Sequence, residues 1–338
     1  MTGLTRREFL RLTSFGIIGW AATPLRSLTA PEAPQLGRVA VAKAEVYEQA
    51  SFRSRHLKTY WKDMVMPINA ATLGDDEPAH NRIWYRIAHE GYVHSGVIQP
   101  VQTRINSPVE SLPSKGALAE VTVPYTDVHW GPGKNFPFAY RFYYETTHWV
   151  TALVQDRGGE PWYQVLDDKW DLIWYAPAAH LRIIPSEELA PLSPQASPDS
   201  KRLEVHLKDQ YLLAYEGDTP VFSARIASGT VFKNGRYLTP TGRFQTFHKR
   251  PSRHMAAGDL ASNGYDLPGV PWICYINEKG VAFHGTYWHN DFGRPRSHGC
   301  INLTPVAAKW IYRWTLPVVP HDQQFVYEKF GTRVDIIE

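Results

Sequence analysis

The chain has 338 residues, a hydrophobic content of 43%, a charged content of 20% and a formal net charge of +3. This composition is that of a globular protein, and the length predicts two or three domains. No run of Lys or Arg alternates with aromatic residues along a helix, so nucleic acid is not expected as a partner. The 12 Trp, 18 Tyr and 26 Pro favour short strands and turns, which predicts a mainly β fold.

The first thirty residues have the pattern of an export signal. Thr5-Arg6-Arg7-Glu8-Phe9-Leu10-Arg11 precedes an apolar stretch from Leu12 to Ala22 and a small-residue run that ends at Ala30. This order resembles a twin-arginine signal, so residues 1–30 are expected to direct export. We therefore expect the protein in the periplasm, in the cell wall or on the outer face of the cytoplasmic membrane. An uncleaved signal would act as a membrane tether.

Two stretches repeat one aromatic strand pattern. In residues 37–101 it is Ile83-Trp84-Tyr85-Arg86-Ile87 and then Gly91-Tyr92-Val93-His94, and in residues 116–184 it is Pro161-Trp162-Tyr163-Gln164-Val165 and then Ile173-Trp174-Tyr175-Ala176. Such strand pairs are typical of small barrels. They resemble the SH3-like modules of bacterial cell-wall proteins, which implies two small β-barrel modules in contact with glycan or peptide. Core packing explains the same Trp-Tyr pairs equally well.

A third domain is predicted for residues 201–338, after a Pro-rich linker at residues 185–200. A hairpin turn at 277–280 would place Gly280 at positive φ and His284 at the end of a strand. Thr304 and Pro305 mark the start of a helix. The predicted strands are 202–207, 211–215, 221–226, 272–276, 281–284 and 331–337, and the helix ends at Trp314.

Two further expectations concern a loop and the thiols of this domain. Residues 249–267 are polar and long for a loop, so we expect a lid. Cys274 alternates with Trp272 and Ile276 on one strand face, which favours a buried structural thiol. Two cysteines are too few for a disulfide scaffold in an exported chain of this size, so at least one is expected to serve as a thiol.

Residues 284–302, HGTYWHNDFGRPRSHGCIN, gather three histidines and one of the two cysteines. A zinc site is disfavoured, because the spacing is not helical and no CxxC pair is present. We expect neither a metal nor another cofactor. A thiol nucleophile at Cys300 fits better, because Gly299 allows backbone N–H groups to approach an oxyanion and the helix that starts at Thr304 favours a thiolate. His284 is then the base, oriented by a backbone carbonyl.

Three short elements of this domain follow one another in the order of a family signature. They are Thr239-Pro240-Thr241-Gly242-Arg243-Phe244, Phe283-His284-Gly285-Thr286 and Ser297-His298-Gly299-Cys300-Ile301-Asn302. They resemble the L,D-transpeptidases with a YkuD-type catalytic domain. The resemblance covers residues 201–338 and implies a β-sandwich with one or two short helices that acts on peptidoglycan stem peptides.

The resemblance implies roles for individual residues. Cys300 would be the nucleophile and His284 the general base, while His298 and Gly299 would shape the oxyanion pocket with the Cys300 N–H. The expected substrate-binding residues are Ser297, Asn302, Arg294, Arg296, Tyr287, Trp288 and Thr241. The arginines suit stem-peptide carboxylates, although solvated loop charges explain them equally well. His289 receives no role.

The implied reaction forms a Cys thioester, releases a terminal D-amino acid and passes the acyl group to the amine of a second stem peptide. Water in place of that amine would give an L,D-carboxypeptidase. A cysteine peptidase of cell-wall stem peptides is a further alternative, but such enzymes usually place Cys before His in the chain. The remaining alternative is a non-catalytic wall-binding protein.

Overall fold

The computed structural model describes residues 35–233, 235–260 and 264–338. The export signal predicted for residues 1–30 lies outside the described residues and stays a prediction. Across the described ranges the chain is mainly β, as the sequence predicts, and its sheets form three units in chain order. Within these ranges, no helix is long and apolar enough to cross a membrane.

The first two units share one strand order. The first contains β1 (Leu36–Val39), β2 (Lys43–Tyr47), β3 (His56–Trp61), β4 (Val65–Leu73), β5 (Ile83–Ile87), β6 (Gly91–His94) and β7 (Ile98–Val101). The second contains β8 (Ala117–Val121), β9 (Tyr125–His129), β10 (Phe138–Tyr143), β11 (Thr147–Gln155), β12 (Pro161–Asp167), β13 (Leu172–Pro177) and β14 (Leu181–Ile183). The sheets run β3-β2-β6-β5-β4-β1-β7 and β10-β9-β13-β12-β11-β8-β14. The sequence repeat is therefore a repeat of topology, and the likeness to SH3 modules stays a prediction.

The repeated tryptophan is a core residue in both units. Trp84 on β5 and Trp162 on β12 occupy corresponding strands and are both buried. Trp174 on the following strand of the second unit is buried as well. Alternation along a strand turns these side chains inward, where large aromatic surfaces contribute most to a small core. The interpretation of the Trp-Tyr pattern as core packing is confirmed.

The third unit is a two-sheet sandwich with a helix packed against it. After the short α1 (Ser186–Leu189), its elements are β15 (Lys201–His206), β16 (Tyr211–Glu216), β17 (Thr219–Arg225), β18 (Val231–Phe232), β19 (Gly235–Arg236), β20 (Gly242–Gln245), β21 (His248–Ala257), β22 (Tyr265–Tyr275), β23 (Ala282–Gly285), β24 (Ile301–Leu303), α2 (Pro305–Trp314), β25 (Val326–Tyr327) and β26 (Arg333–Ile337). One sheet runs β17-β16-β15-β26-β20 and the other β24-β23-β22-β21-β25, with β18 and β19 as a separate hairpin. Leu203, Phe283 and Ile311, from both sheets and α2, belong to one buried core. The expected β-sandwich is confirmed.

Local signals in the third unit predict its elements closely. β22 and β23 form the expected hairpin, and Gly280 has a φ of +88° in its turn. Helix α2 begins with Pro305 after Thr304, whose side chain accepts a hydrogen bond from the Ala307 N–H at 3.3 Å. Both signals are chemical requirements of the backbone itself, which is why they can be recognised without tertiary information.

A buried lysine caps the other end of α2. Lys249 on β21 is fully buried, and its Nζ donates to the carbonyls of Tyr312 and Thr315 at 2.6 Å each. The last carbonyls of a helix lack partners within the helix, and a cation there also complements the helix dipole. Burial lowers the pKa of Lys249 to about 8. No local sequence pattern predicts this contact.

The lid expected at residues 249–267 is wrong. Most of this segment lies in β21 and β22, which pair with each other as an antiparallel hairpin. Several of its polar side chains contact the second unit. Arg250 and Arg253 on β21 both pair with Asp168, at 2.8 and 2.7 Å. A strand that contacts another domain through charged side chains is as polar as a loop, so its composition alone predicts a loop.

The predicted linker at residues 185–200 is docked on the third unit. Glu188 in α1 accepts from Arg182 of the second unit at 2.5 Å and from Lys309 on α2 at 2.8 Å. The hydrogen bond from Arg182 lowers the pKa of Glu188 to about 2, with Lys309 acting in the same direction and partial burial opposing both. One carboxylate thus joins the second unit, the connecting segment and α2.

A buried histidine also joins the second unit to the third. His254 on β21 lies between two carboxylates, with Nδ1 2.6 Å from Asp167 on β12 and Nε2 against Asp266 on β22. Tyr140 on β10 donates to the second oxygen of Asp266 at 2.9 Å. Burial alone would lower the pKa of His254, but its hydrogen bonds to Asp167 and Asp266 outweigh burial and raise it above 6.5. The charged imidazolium is therefore the form that the interface favours.

We expect this link to weaken as the pH rises. A histidine whose folded pKa is raised contributes stability that is complete below its unfolded pKa and is lost as the pH passes its folded pKa. His254→Gln should lower the free energy of unfolding by on the order of 2 kcal/mol near pH 6, and by less above pH ~8. Urea titrations across this range test it, with His56→Gln, at an exposed histidine of β3, as the control. A deficit that stays constant with pH would contradict the charged form.

Candidate active site

Two neighbouring strands, β23 and β24, bring His284 and Cys300 to one edge of a sheet. They pair in parallel, with His284 opposite Asn302. Cys300 directly precedes β24, and alternation along the strand places it on the same face as Asn302 and His284. Gly299 has a φ of +108°, which disfavours any residue with a Cβ. The two side chains that the sequence singles out as nucleophile and base thus share one face.

The Cys300 thiol is half-buried, and its surroundings favour the protonated form. Its Sγ donates to the carbonyl of Gly280 at 3.5 Å. Burial raises the pKa of Cys300 to about 11, and a backbone hydrogen bond from Ala282 offsets part of that rise. The start of α2 therefore does not make a thiolate the resting form, contrary to expectation. Both cysteines are free thiols, and Cys274 is fully buried as predicted.

His284 is buried and neutral, and the backbone sets its tautomer. Its Nδ1 lies 3.0 Å from the carbonyl oxygen of Gly285. A carbonyl only accepts hydrogen bonds, so Nδ1 carries the proton and Nε2 keeps its lone pair. Burial lowers the pKa of His284 to about 4, although this hydrogen bond opposes the change. The result is a neutral imidazole that can take up a proton at Nε2.

The loop before Cys300 is tied internally and to the upstream Thr-Pro-Thr-Gly element. Ser297 Oγ donates to the Cys300 carbonyl at 2.5 Å and accepts from the Gly299 N–H at 3.1 Å. Thr239 Oγ1 donates to the Gly299 carbonyl at 2.9 Å. Thr241, the residue of this element expected to bind substrate, is exposed. Thr239 therefore supports the loop, a role that the sequence did not single out although the residue stands in the quoted motif.

His298 lies in an aromatic cage beside the thiol. Its ring stacks on Phe232 of β18 with centroids 4.3 Å apart and an interplanar angle of 12°. Tyr237 and Tyr265 approach the same ring, at centroid distances of 4.8 and 5.5 Å. The β18–β19 hairpin thus lies against the loop that carries Cys300. The cage holds the imidazole of His298 by its face.

A second buried histidine orients the side chain of Asn302. His289 Nδ1 accepts from the Asp291 N–H at 3.2 Å, and His289 Nε2 lies 3.1 Å from the Asn302 amide. Burial lowers the pKa of His289 to about 3, so the ring is neutral and its single proton lies on Nε2. The Asn302 group that faces Nε2 must then be its oxygen. With the amide turned the other way, the NH₂ group would face Nε2 and the Asn302 oxygen would be buried without a hydrogen-bond partner.

Asp291 gathers the charges of the loop. Arg294 and Arg296 each contact its Oδ2 at 2.6 Å, and His80 of the first unit contacts its Oδ1 at 2.8 Å. Burial would raise the pKa of Asp291, but these three neighbours outweigh it and lower the pKa to about 2. The two arginines expected at substrate carboxylates thus already hold an internal carboxylate. Asp291 and His80 could not be paired from sequence, because they lie in different units.

The first unit also holds the backbone of this loop. The buried Arg38 on β1 donates to the carbonyl of Tyr287 at 2.6 Å. The Asn290 N–H donates to the Gly96 carbonyl at 3.1 Å. Tyr287 is buried and stacks on Tyr143 of the second unit, with centroids 5.1 Å apart. The segment between His284 and Cys300 is therefore shaped by all three units.

Two aromatic residues of this loop, Trp288 and Phe292, lie beside different histidines. Trp288 is half-buried, and its ring centroid lies 5.8 Å from that of His284. Phe292 is buried against His289, with centroids 5.2 Å apart.

Across residues 35–233, 235–260 and 264–338, no group of three or more His, Cys, Asp or Glu side chains is placed to hold a metal ion.

Comparison with known proteins agrees with this site. Residues 200–336 match the family model of the YkuD L,D-transpeptidase catalytic domain, so the first two units lie outside the match. The chain is also similar to YciB of Bacillus subtilis (strain 168), which carries the provisional name L,D-transpeptidase. The two are 30% identical over 130 residues, which is 34% of this chain and 63% of YciB. The similarity thus covers less than two thirds of that relative.

Similar solved structures include a Cys-to-Ser mutant of the Enterococcus faecium L,D-transpeptidase, at 23% identity and a TM-score of 0.32, covering 41% of this chain and 50% of that one. Another is an L,D-transpeptidase from Mycobacterium smegmatis, at 17% identity and a TM-score of 0.34, covering 57% of this chain and 90% of that one. These TM-scores are too low to support a statement about fold or function.

The raised pKa of Cys300 predicts how the thiol reacts with pH. Alkylation requires the thiolate, so the rate with a neutral alkylating reagent should keep rising above pH ~9, the ordinary value for a cysteine. Mass spectrometry of Cys300 after timed exposure measures this rate, and the buried Cys274 should stay unmodified in the same samples. A rate that reaches its plateau near neutral pH would show a resting thiolate instead.

The two buried histidines should carry their protons on opposite ring nitrogens. The hydrogen bonds place the proton of His284 on Nδ1 and that of His289 on Nε2. Long-range proton–nitrogen correlation spectra near pH 7 distinguish the tautomers, and each histidine serves as the other's reference. An Nδ1–H tautomer at His289 would overturn the orientation assigned to Asn302.

Proposed function

We propose that the protein is a peptidoglycan L,D-transpeptidase that works through a Cys300 thioester. The observation that carries this proposal is the shared sheet face of Cys300 and a neutral His284 with its lone pair on Nε2. The match of residues 200–336 to the YkuD catalytic-domain model supports it. The pairing of β23 with β24 holds the backbone of both residues in place, and the thiol turns from the Gly280 carbonyl to the base when it reacts.

In the first step, Cys300 Sγ attacks the carbonyl that links a diamino acid residue to a terminal D-amino acid. His284 Nε2 takes the thiol proton as the carbon–sulfur bond forms, because a thiol of raised pKa needs a base at the moment of attack. The resulting oxyanion lies at the Cys300 N–H, since the Gly299 N–H already donates to Ser297. The imidazolium returns its proton to the leaving amine, the carbon–nitrogen bond breaks and the D-amino acid departs.

In the second step, the side-chain amine of another stem peptide attacks the thioester. Neutral His284 takes a proton from this amine, a new amide forms, and the carbon–sulfur bond breaks with return of the proton to Sγ. Water in place of the amine would release a free tripeptide stem instead. The products therefore distinguish a transpeptidase from an L,D-carboxypeptidase.

The rival enzyme class has less support. In a cysteine peptidase of stem peptides, the nucleophile usually precedes the histidine and stands at the start of a helix. Here His284 precedes Cys300, and Cys300 stands at the start of a strand. A non-catalytic wall-binding protein would not require a neutral His284 with a free lone pair on the same face as a cysteine.

Location and the role of the first two units belong to the same proposal. The paired arginines and apolar stretch of residues 1–30 support export by the twin-arginine route to the periplasm, the cell wall or the outer face of the membrane. The two repeated units would contact glycan or peptide of the wall, and an uncleaved signal would tether the protein. No cofactor is required by the chemistry above.

The decisive experiment incubates the full chain with a disaccharide tetrapeptide and follows the products by mass. Loss of the terminal D-residue together with a dimer supports transpeptidation, and loss without a dimer supports carboxypeptidation. Cys300→Ala should abolish both products, and His284→Gln should slow turnover by about 10²- to 10⁴-fold. Cys274→Ala is the matched control and should retain activity. Unchanged substrate with the wild-type chain would refute the proposal.

A further inference from the structure

A cavity of about 170 Å³ lies where the three units meet. Side chains from all three form its wall, among them Arg38, Lys62, Arg141, Tyr143, Asp266 and Trp288. A concave site lined by aromatic surface with a few charged groups is typical of a ligand-binding pocket. This cavity exists only in the assembled chain, because no single unit supplies its wall.

The cavity adjoins the candidate active site. Trp288 lines it and also lies beside His284, with ring centroids 5.8 Å apart. Cys300 packs against the same apolar cluster as Leu267 and Tyr287, which are both cavity residues. Trp288 thus borders both the cavity and His284, and the apolar cluster against which Cys300 packs forms part of the cavity wall.

Among the described residues of the cavity, Lys62 is the charged group without an ion-pair partner. Asp63 pairs with Arg38 at 2.8 Å and with Arg141 at 3.0 Å. Asp266 is held by the protonated His254. Lys62 is exposed, and its Nζ lies 6.0 Å from the centre of the Tyr143 ring. Arg141 also pairs with Asp127, at 2.6 Å. Arg38, Arg141 and Asp266 thus each have a partner of opposite charge, whereas Lys62 has none among the described residues.

We propose that this cavity is a substrate subsite in which Lys62 binds a free carboxylate of the stem peptide. The assignment rests on the proposed function and adds the source of its carboxylate recognition. A compact anion suits the volume of the cavity, and Lys62 stands at its rim with Nζ on the side of the Tyr143 ring. The subsite makes the first unit part of the substrate-binding machinery.

The subsite also supplies the carboxylate recognition that was expected from the loop arginines. Arg294 and Arg296, the nearest cations in the sequence to Cys300, both contact Asp291 and have that carboxylate as their counter-charge. A substrate carboxylate at those arginines would compete with Asp291. At Lys62 it meets no such competitor among the described residues, so no internal ion pair has to be broken when it binds.

Binding measurements on the full chain test this subsite. A Cys300→Ala background prevents turnover, and calorimetry compares a stem tetrapeptide that has free non-terminal carboxylates with the same peptide amidated at those positions. Lys62→Gln should weaken binding of the free-carboxylate peptide about tenfold and leave the amidated peptide unaffected. Lys62→Arg should retain most of the affinity. Lys208→Gln, at an exposed lysine between β15 and β16, is the matched control and should bind both peptides normally.

Equal affinity of Lys62→Gln and its parent for the free-carboxylate peptide would overturn the subsite. If the wild-type chain still released the D-residue from a disaccharide tetrapeptide, the proposed function would stand in that case. If the wild-type chain neither bound nor converted any stem peptide, the proposed function would fail and the subsite with it. An equal loss of affinity for both peptides would also contradict carboxylate recognition and indicate a structural effect of the substitution.

Discussion

The parallel pairing of β23 with β24 is the constraint on which the rest of the site depends. It fixes His284 opposite Asn302 and leaves Cys300 two residues before that pair on the same face. A slip of one residue would turn Cys300 to the opposite face, into the core that Phe283 and Ile301 share. That core, together with the α2 helix that follows β24 directly, therefore stabilises the strand register that places Cys300 and His284 on one face.

A single carboxylate organises the segment between the two catalytic candidates. Asp291 pairs with both loop arginines and reaches the first unit through His80. Its backbone N–H sets the tautomer of His289, and His289 in turn orients Asn302. The contact between domains and the orientation of a side chain at the site are thus parts of one hydrogen-bond network. The first unit thus contacts the site although it contains none of the residues of the YkuD-like signature.

Local chemistry explains how much of this was predictable from sequence. The turn at Gly280, the helix start at Thr304 and Pro305, and the spacing of His284 and Cys300 are short-range signals, because each depends on the backbone of a few residues. Docking contacts are different. His80 with Asp291 and Arg38 with Tyr287 depend on how separate units pack, and no local pattern encodes that choice. The supposed lid failed for this reason, since the charges of β21 face Asp168 instead of water. The orientation of Asn302 likewise depends on Asp291, whose N–H sets the tautomer of the His289 ring that contacts Asn302.

The position of β26 has a consequence for the order in which the chain can assemble. This strand lies in the interior of its sheet, parallel to β15, and the register pairs Arg202 with Arg333. The first strand of the unit must therefore wait until β26 has been synthesised before the sheet can close. Contacts so distant in sequence form slowly, and until then β15 offers an open edge. The two preceding units can be complete on the ribosome while the unit that carries the candidate site is still unfinished, so Cys300 and His284 come to lie in a closed sheet only after both other units have formed.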